Sequence, residues 1–334
     1  MVDPPENAFV ERVRYYDNYW IFPGTNYTPS YCLQGFLDAL CLRNLDLHPE
    51  FTKKVHQLIY FVLLVSDVAA KMLGYDLSVV RNAGVHPIRI PDAAQMEKLQ
   101  YCTRFKYSLL QTIIEDQSLC DSLFSEFEEG AISQVLDANW QEFFAKPFLM
   151  ANDGTVILLN PTILIPFLMH RIVTLADEYG NKEKLVNAYN EELWNKCRQD
   201  LRKLEHKKID ERAYNISLIN DSHRKEEICT VGNDKLLFVH FVCDAADDYD
   251  IDAMYEEYKL KDGHPRVQER AKYFMAHLPQ IQKGSVYQIV IINSFGRLVG
   301  CELSRGELDY SITLSPAELH YISVNEHNHE NFIP

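Results

Sequence analysis

The run from Leu236 to Cys243, Leu-Leu-Phe-Val-His-Phe-Val-Cys, constrains this chain more than any other stretch. It is apolar at successive positions rather than alternate ones, and only His240 breaks it. A strand of that kind must be covered on both faces, so the run predicts a central strand between two layers. The flanking sequence supplies candidate layers. Asn181 to Lys208 repeats Leu185, Tyr189, Leu193, Cys197, Leu201 and Leu204 at steps of three and four, one apolar helix face. Tyr214, Ile216 and Leu218 alternate with Asn215 and Ser217, which predicts a strand with one wet face. Glu226 to Val231 reads as a second short strand. Met254 to Leu278 reads as a helix with a weak point at Gly263-His264-Pro265. Val286 to Ile292 is another buried strand, and Phe295-Gly296-Arg297 turns it into Leu298 to Leu303.

The order helix, three strands, helix, strand over 181–293 resembles the core of the PD-(D/E)xK nuclease fold. The resemblance is one of topology and covers about a third of the chain. It implies an acid on the second strand and a Glu-x-Lys on the third, which together hold a metal ion and orient the attacking water. The second strand offers Glu226 and Glu227, but the third reads Phe238-Val239-His240-Phe241-Val242 and has no Glu-x-Lys. Metal-assisted hydrolysis needs hard oxygen ligands, which Val239 and Phe241 do not supply. Acids do follow the strand, at Asp244, Asp247, Asp248, Asp250 and Asp252. Two readings result. In one, the site is degenerate and the module is a pseudo-nuclease. In the other, a displaced cluster of Glu192, Glu227, His240 and Asp244 binds a divalent metal and cleaves nucleic acid.

Other chemistries have less behind them. Arg81-Asn82-Ala83-Gly84-Val85-His86 resembles the Arg-x4-His motif of HEPN ribonucleases, in which Arg81 would steady phosphate charge and His86 would move the proton. Gly84 and Pro87 break the helix that pair should occupy, so a loop is the better reading. Glu326, His327, His329 and Glu330 have metal-ligand chemistry but sit in a polar tail. The acids from Asp244 to Asp252 do not follow an EF-hand loop, because the Gly is absent and Lys259 replaces the last Glu. No phosphate-binding Gly loop, dinucleotide fingerprint or nucleophile elbow occurs. No cofactor is implied outside the nuclease alternative.

Charge bears on partners. The chain carries 48 acidic against 33 basic side chains, a net charge of -15. That surface repels phosphate backbones unless the basic groups cluster, and the one basic run, Arg198 to Lys208, is interrupted by Asp200 and Glu205. Direct nucleic-acid binding is therefore not expected. None of the eight cysteines is paired at Cys-x-x-Cys spacing, which argues against structural zinc. No signal peptide is read in Met1 to Tyr16, and the run Leu58 to Val65 is far shorter than the roughly 20 residues of a membrane span. The expected location is the cytoplasm.

At 334 residues the chain is long for one core, and 47% hydrophobic content supports packed modules. The expected fold is mixed α+β, with an all-α N-terminal module followed by an α/β module of αβββαβ order. Residues 1–29 form an aromatic arm with Tyr15, Tyr16, Tyr19, Trp20 and Phe22, irregular in period. Such rings cover the protein's own helices or bind a partner, with Trp20 as the anchor. Residues 30–145 are helical, with helices over 30–44, 49–74 and 92–115 and more polar helix beyond. Residues 146–180 are a connector: a hairpin turning at Asn152-Asp153-Gly154, then a helix. The nuclease-like module spans 181–310. A C-terminal helix opening at Ser315-Pro316 and a polar tail fill 311–334, and the abrupt stop at Pro334 fits a fragment or a disordered tail. The functional expectation is a non-catalytic binding or assembly protein, working through protein–protein interaction or self-association. It would be a component of a larger nucleic-acid-handling machine, such as one of antiviral defence.

Overall fold

In the computed structural model the chain is mixed α+β and divides into two compact units, Asp3–Leu185 and Val186–Pro334 with Met1–Val2. The structure describes residues 10–23, 30–72, 93–124, 146–158, 161–203, 206–208, 218, 220, 224–231, 234–243, 265–278, 281, 286–293, 302–304 and 310–324.

The N-terminal unit is built on a long helix, α2 (Pro49–Met72), preceded by α1 (Ser30–Leu42). Phe51, Val55, Leu58, Phe61 and Val62 of α2 are fully buried. By length and composition α2 could cross a membrane, the one such helix among the described residues, yet over half of its apolar window is buried inside the protein. It is a core helix, as its nearly all-round apolar sequence requires. Two small sheets belong to this unit, and one of their strands falls within residues 30–145, the stretch expected to be helical throughout. The aromatic arm is a hairpin, β1 (Val10–Tyr15) and β2 (Asn18–Pro23). The helix expected over 92–115 is interrupted: α3 (Ala93–Thr103) gives way to β3 (Arg104–Lys106) before α4 (Tyr107–Ile113), and α5 (Gln117–Asp121) follows. The break has a tertiary cause. β4 (Phe148–Met150) and β5 (Thr155–Leu158) form the expected hairpin, and β5 recruits β3 on its other side. Gly154 takes the positive φ its turn needs, and Asp153 accepts the Thr155 amide. Phe61, Phe105, Phe124, Phe148 and Phe167 then form one aromatic cluster. Phe167 lies on α6 (Leu164–Glu178), so residues 146–180 are core of this unit rather than a connector.

The second unit holds one six-stranded sheet in the order β10-β11-β9-β8-β7-β6. Its elements are α7 (Lys182–Lys203), which starts at the end of the first unit, β6 (His206–Lys208), β7 (Arg224–Val231) and β8 (Lys235–Cys243). After them come α8 (Pro265–His277), β9 (Val286–Asn293), β10 (Glu302–Ser304), β11 (Tyr310–Leu314) and α9 (Pro316–Val324). β6, β7 and β8 are antiparallel neighbours, whereas β9 runs parallel to β8, and β11 parallel to β9. The first strand of the meander falls at 206–208; most of the expected strand around Tyr214 to Leu218 lies outside the described residues. β11 makes residues 310–314 part of the sheet rather than a separate tail. α9 begins with a reciprocal cap, Ser315 N–H to Glu318 and Glu318 N–H to the Ser315 hydroxyl, as the Ser-Pro-x-Glu start suggested.

β8 and β9 are central and apolar for one reason: both faces are covered. Trp194 of α7 meets Phe241 on one side, with ring centroids 5.5 Å apart. Phe274 of α8 meets Phe238 on the other, at 6.4 Å.

Candidate functional site

The charged residues of this sheet concentrate on β7, where Lys225, Glu226 and Glu227 follow one another. A strand sends successive side chains to opposite faces. Lys225 and Glu227 therefore face α7, and Glu226 faces α8.

On the α7 face the Lys225 ammonium donates to Glu191 and, at 3.3 Å, to Asn220 Oδ1. Lys225 is only 4% exposed, so Glu191 replaces part of the hydration its ammonium has lost. Arg198 Nε lies 2.9 Å from Glu227 Oε2, although its N–H is not directed at the oxygen, which makes the contact ionic. The Cys229 thiol donates to the other Glu227 oxygen at 3.7 Å. Arg198 also lies over the Trp194 ring, 6.0 Å from its centroid. Further along α7, Asn293 donates to Asn190 at 3.2 Å and accepts from Tyr189 at 3.4 Å. A second buried carboxylate, Asp200, gathers Lys203, the Ser323 hydroxyl and His320 Nδ1 within 2.6, 3.0 and 3.0 Å. Burial pushes the Asp200 carboxyl up. The hydrogen bonds from His320, Lys203 and Ser323, with the charge of His320, outweigh burial and hold it at about 2.

On the α8 face Arg270 donates to Glu226 Oε2 at 2.9 Å, and His240 Nδ1 lies 3.6 Å from Glu226 Oε1. Glu226 and His240 are register partners on β7 and β8. This pair separates two apolar clusters on the same face. One holds Ile228, Leu236, Phe238, Phe274, Ile281 and Val286, and the other Val242, Val290 and Ile292.

Of the displaced nuclease cluster, Glu227 and His240 lie on opposite faces of the sheet. Glu227 faces α7 and His240 faces α8, because His240 pairs with Glu226 and Val239 with Glu227. Glu192 is half-buried on α7, and its neighbour Glu191 pairs with Lys225 of the sheet. Asp244 lies outside the described residues, as do Arg81, His86, the other acids up to Asp252 and the Glu326–Glu330 segment. Among the described residues, no group of three or more His, Cys, Asp or Glu side chains is placed to hold a metal ion. Val239 and Phe241 stand on β8 opposite Glu227 and Lys225. The residues that sequence reasoning missed are Glu191, Arg198, Lys225 and Arg270. For Lys225 the signal was present in the alternation Lys225, Glu227, Cys229.

The aromatic arm is divided in the same way. Tyr15 and Phe22 are buried at 4% and 1% exposure, while Tyr16 and Tyr19 stand out at 61% and 48%. Trp20 is intermediate and packs edge-on against Tyr60 of α2. The hairpin's outer edges are closed by side chains. Gln34 of α1 bonds both the N–H and the carbonyl of Arg14, and Asp67 of α2 accepts the Ile21 N–H. A two-stranded ribbon with capped edges cannot add a further strand there.

No family model matches the chain, and no curated protein or solved structure matches it.

Proposed function

We propose that this protein is a non-catalytic binding or assembly protein, and that its second unit is a nuclease-like scaffold whose acids serve as structural ion pairs. One observation carries the reading: the adjacent acids of β7 are each neutralised by an arginine from a different layer. Glu227 is matched to Arg198 of α7 and Glu226 to Arg270 of α8. A catalytic carboxylate that recruits a divalent cation needs free oxygen lone pairs and acidic neighbours, not a guanidinium already in contact. The apolar Val239 and Phe241 opposite these charges support the same reading.

Partners would be another protein or a second copy of the chain, met in the cytoplasm through exposed rings such as Tyr16 and Tyr19. The nuclease-like order is the reason to place the protein in a nucleic-acid-handling or defence assembly.

A metal-dependent nuclease is the second reading. What favours it is that Glu191, Lys225 and Glu227 share the α7 face, beside the strand that Asp244 follows. Purified protein with magnesium or manganese and mixed single- and double-stranded DNA and RNA separates the two. No cleavage is expected. Cleavage that disappears in folded Glu227→Gln protein overturns the non-catalytic reading.

A further inference from the structure

Two tyrosines at the tip of the N-terminal hairpin converge on one histidine of α2. The buried Tyr15 hydroxyl is hydrogen-bonded to His56 Nδ1. The Tyr16 hydroxyl lies 3.4 Å from both nitrogens of the same ring. The three rings form one tilted cluster, with Tyr15 4.7 Å from Tyr16 and Tyr16 5.6 Å from His56 between centroids. Tyr16 is also the one non-glycine residue with a positive φ, 51°, among the described residues. A bulky residue in the left-handed region costs about 1–2 kcal/mol, so the turn must be held from outside. Arg14 Nε donates to the Tyr16 carbonyl at 3.1 Å, and His56 holds the two rings.

The surroundings of His56 suit a neutral ring and not a cation. The hairpin offers it only the phenols of Tyr15 and Tyr16. From α1 the Cys41 thiol acts on Tyr15, and Asp38 acts on Cys41. On α2, Lys53 one turn away is positive and is paired with Glu115. Among the described residues no carboxylate is ion-paired to His56. A protonated ring must donate from Nδ1, so the Tyr15 hydroxyl must accept there and turn its own O–H toward the Tyr16 hydroxyl beside it. That leaves a charged, half-buried ring facing phenols, with no ion-paired carboxylate among the described residues to offset its loss of hydration.

We propose that His56 is a proton-operated latch whose protonation releases the Tyr15–Tyr16 turn from α2 and bares the aromatic face of the hairpin. Burial lowers the basicity of His56, which agrees in sign. The unfolded or released ring takes a proton near pH 6.5 and the seated ring resists it, so the seated state loses stability as pH falls below that value.

Hydrogen exchange of the hairpin amides tests this, with rates normalised to the intrinsic rate at each pH. Protection over residues 10–23 should fall by about tenfold per pH unit at most as pH drops from 7.5 to 5.5, while β8 and β9 stay unchanged. In His56→Gln the hairpin should remain protected at pH 7.5 and the step should vanish, because Gln hydrogen-bonds without titrating. An NMR titration of His56 in the unmodified chain gives a second check that needs no variant. The imidazole midpoint and the hairpin release should coincide. Unchanged or increased protection at low pH, a step that persists in His56→Gln, or two midpoints more than a unit apart overturns the latch.

Discussion

Glu226 and Glu227 are neighbours in sequence and belong to different environments. Glu227 sits under α7, touched by Arg198 and the Cys229 thiol. Glu226 sits under α8, touched by Arg270 and close to His240. Both carboxylates are less than a tenth exposed. The two faces of one strand thus solve the same problem, a buried anion, with the same residue type drawn from two helices. What differs is redundancy. Glu226 has a second group, His240, able to carry positive charge. Beside the arginine of Glu227 stands a thiol, which carries no positive charge. The faces should therefore respond unequally to losing an arginine.

The largest effect is expected on the α7 face. Arg198→Ala takes the guanidinium from buried Glu227 and should cost about 3–5 kcal/mol of unfolding free energy in urea titration. Replacing the pair together, as Arg198→Met with Glu227→Leu, should recover most of that loss, since an apolar pair needs no solvation. Arg270→Ala should cost less, about 1–3 kcal/mol, because His240 remains beside Glu226. Equal losses on both faces would break the comparison.

A smaller effect separates the faces by pH. Only the α7 face has Asp200, whose folded carboxyl is held at about 2. A depressed carboxyl contributes stability above its unfolded value near 3.9, and that contribution disappears as pH falls from about 4 toward 2. Asp200→Asn should therefore lower stability by about 2 kcal/mol at pH 7 and flatten the acid limb of the stability curve. If the acid limb is unchanged in this variant, the His320–Asp200–Ser323 contacts do not anchor α9. The smallest effect comes from carrying the in-and-out rule to the hairpin. Tyr19→Ala, on the exposed face, should change the melting free energy by no more than about 0.5 kcal/mol.

The sequence revealed the layers more readily than the side-chain partnerships. β8 and β9 were legible because a strand covered on both faces has to be apolar throughout. The hairpin at Gly154 and the cap at Ser315 were legible because turn and cap chemistry are local. β3 was not legible. Arg104–Lys106 lies inside a helical pattern, and only pairing with β5, some fifty residues later, makes it a strand. The arm hid its hairpin because its turn is Tyr16-Asp17, with none of the usual glycine or asparagine at the positive φ. Within the candidate site, Glu227 and His240 part on parity. Glu227 and His240 each read as a plausible ligand, but the register that pairs Val239 with Glu227 is a tertiary fact, and a one-residue offset exchanges the faces. Glu191 and Glu192 posed the same problem on a helix, where neighbouring residues are about 100° apart.

The central claim is that Glu227 is a structural partner of Arg198, and the stability of Glu227→Gln in metal-free buffer tests it most directly. Acids gathered to bind a cation repel one another when the site is empty, so neutralising one of them raises stability. An acid committed to an arginine does the opposite. The expected result is a lower urea midpoint with an unchanged slope, by about 2 kcal/mol. A higher midpoint, reversed when magnesium or manganese is added to the unsubstituted chain, would contradict it.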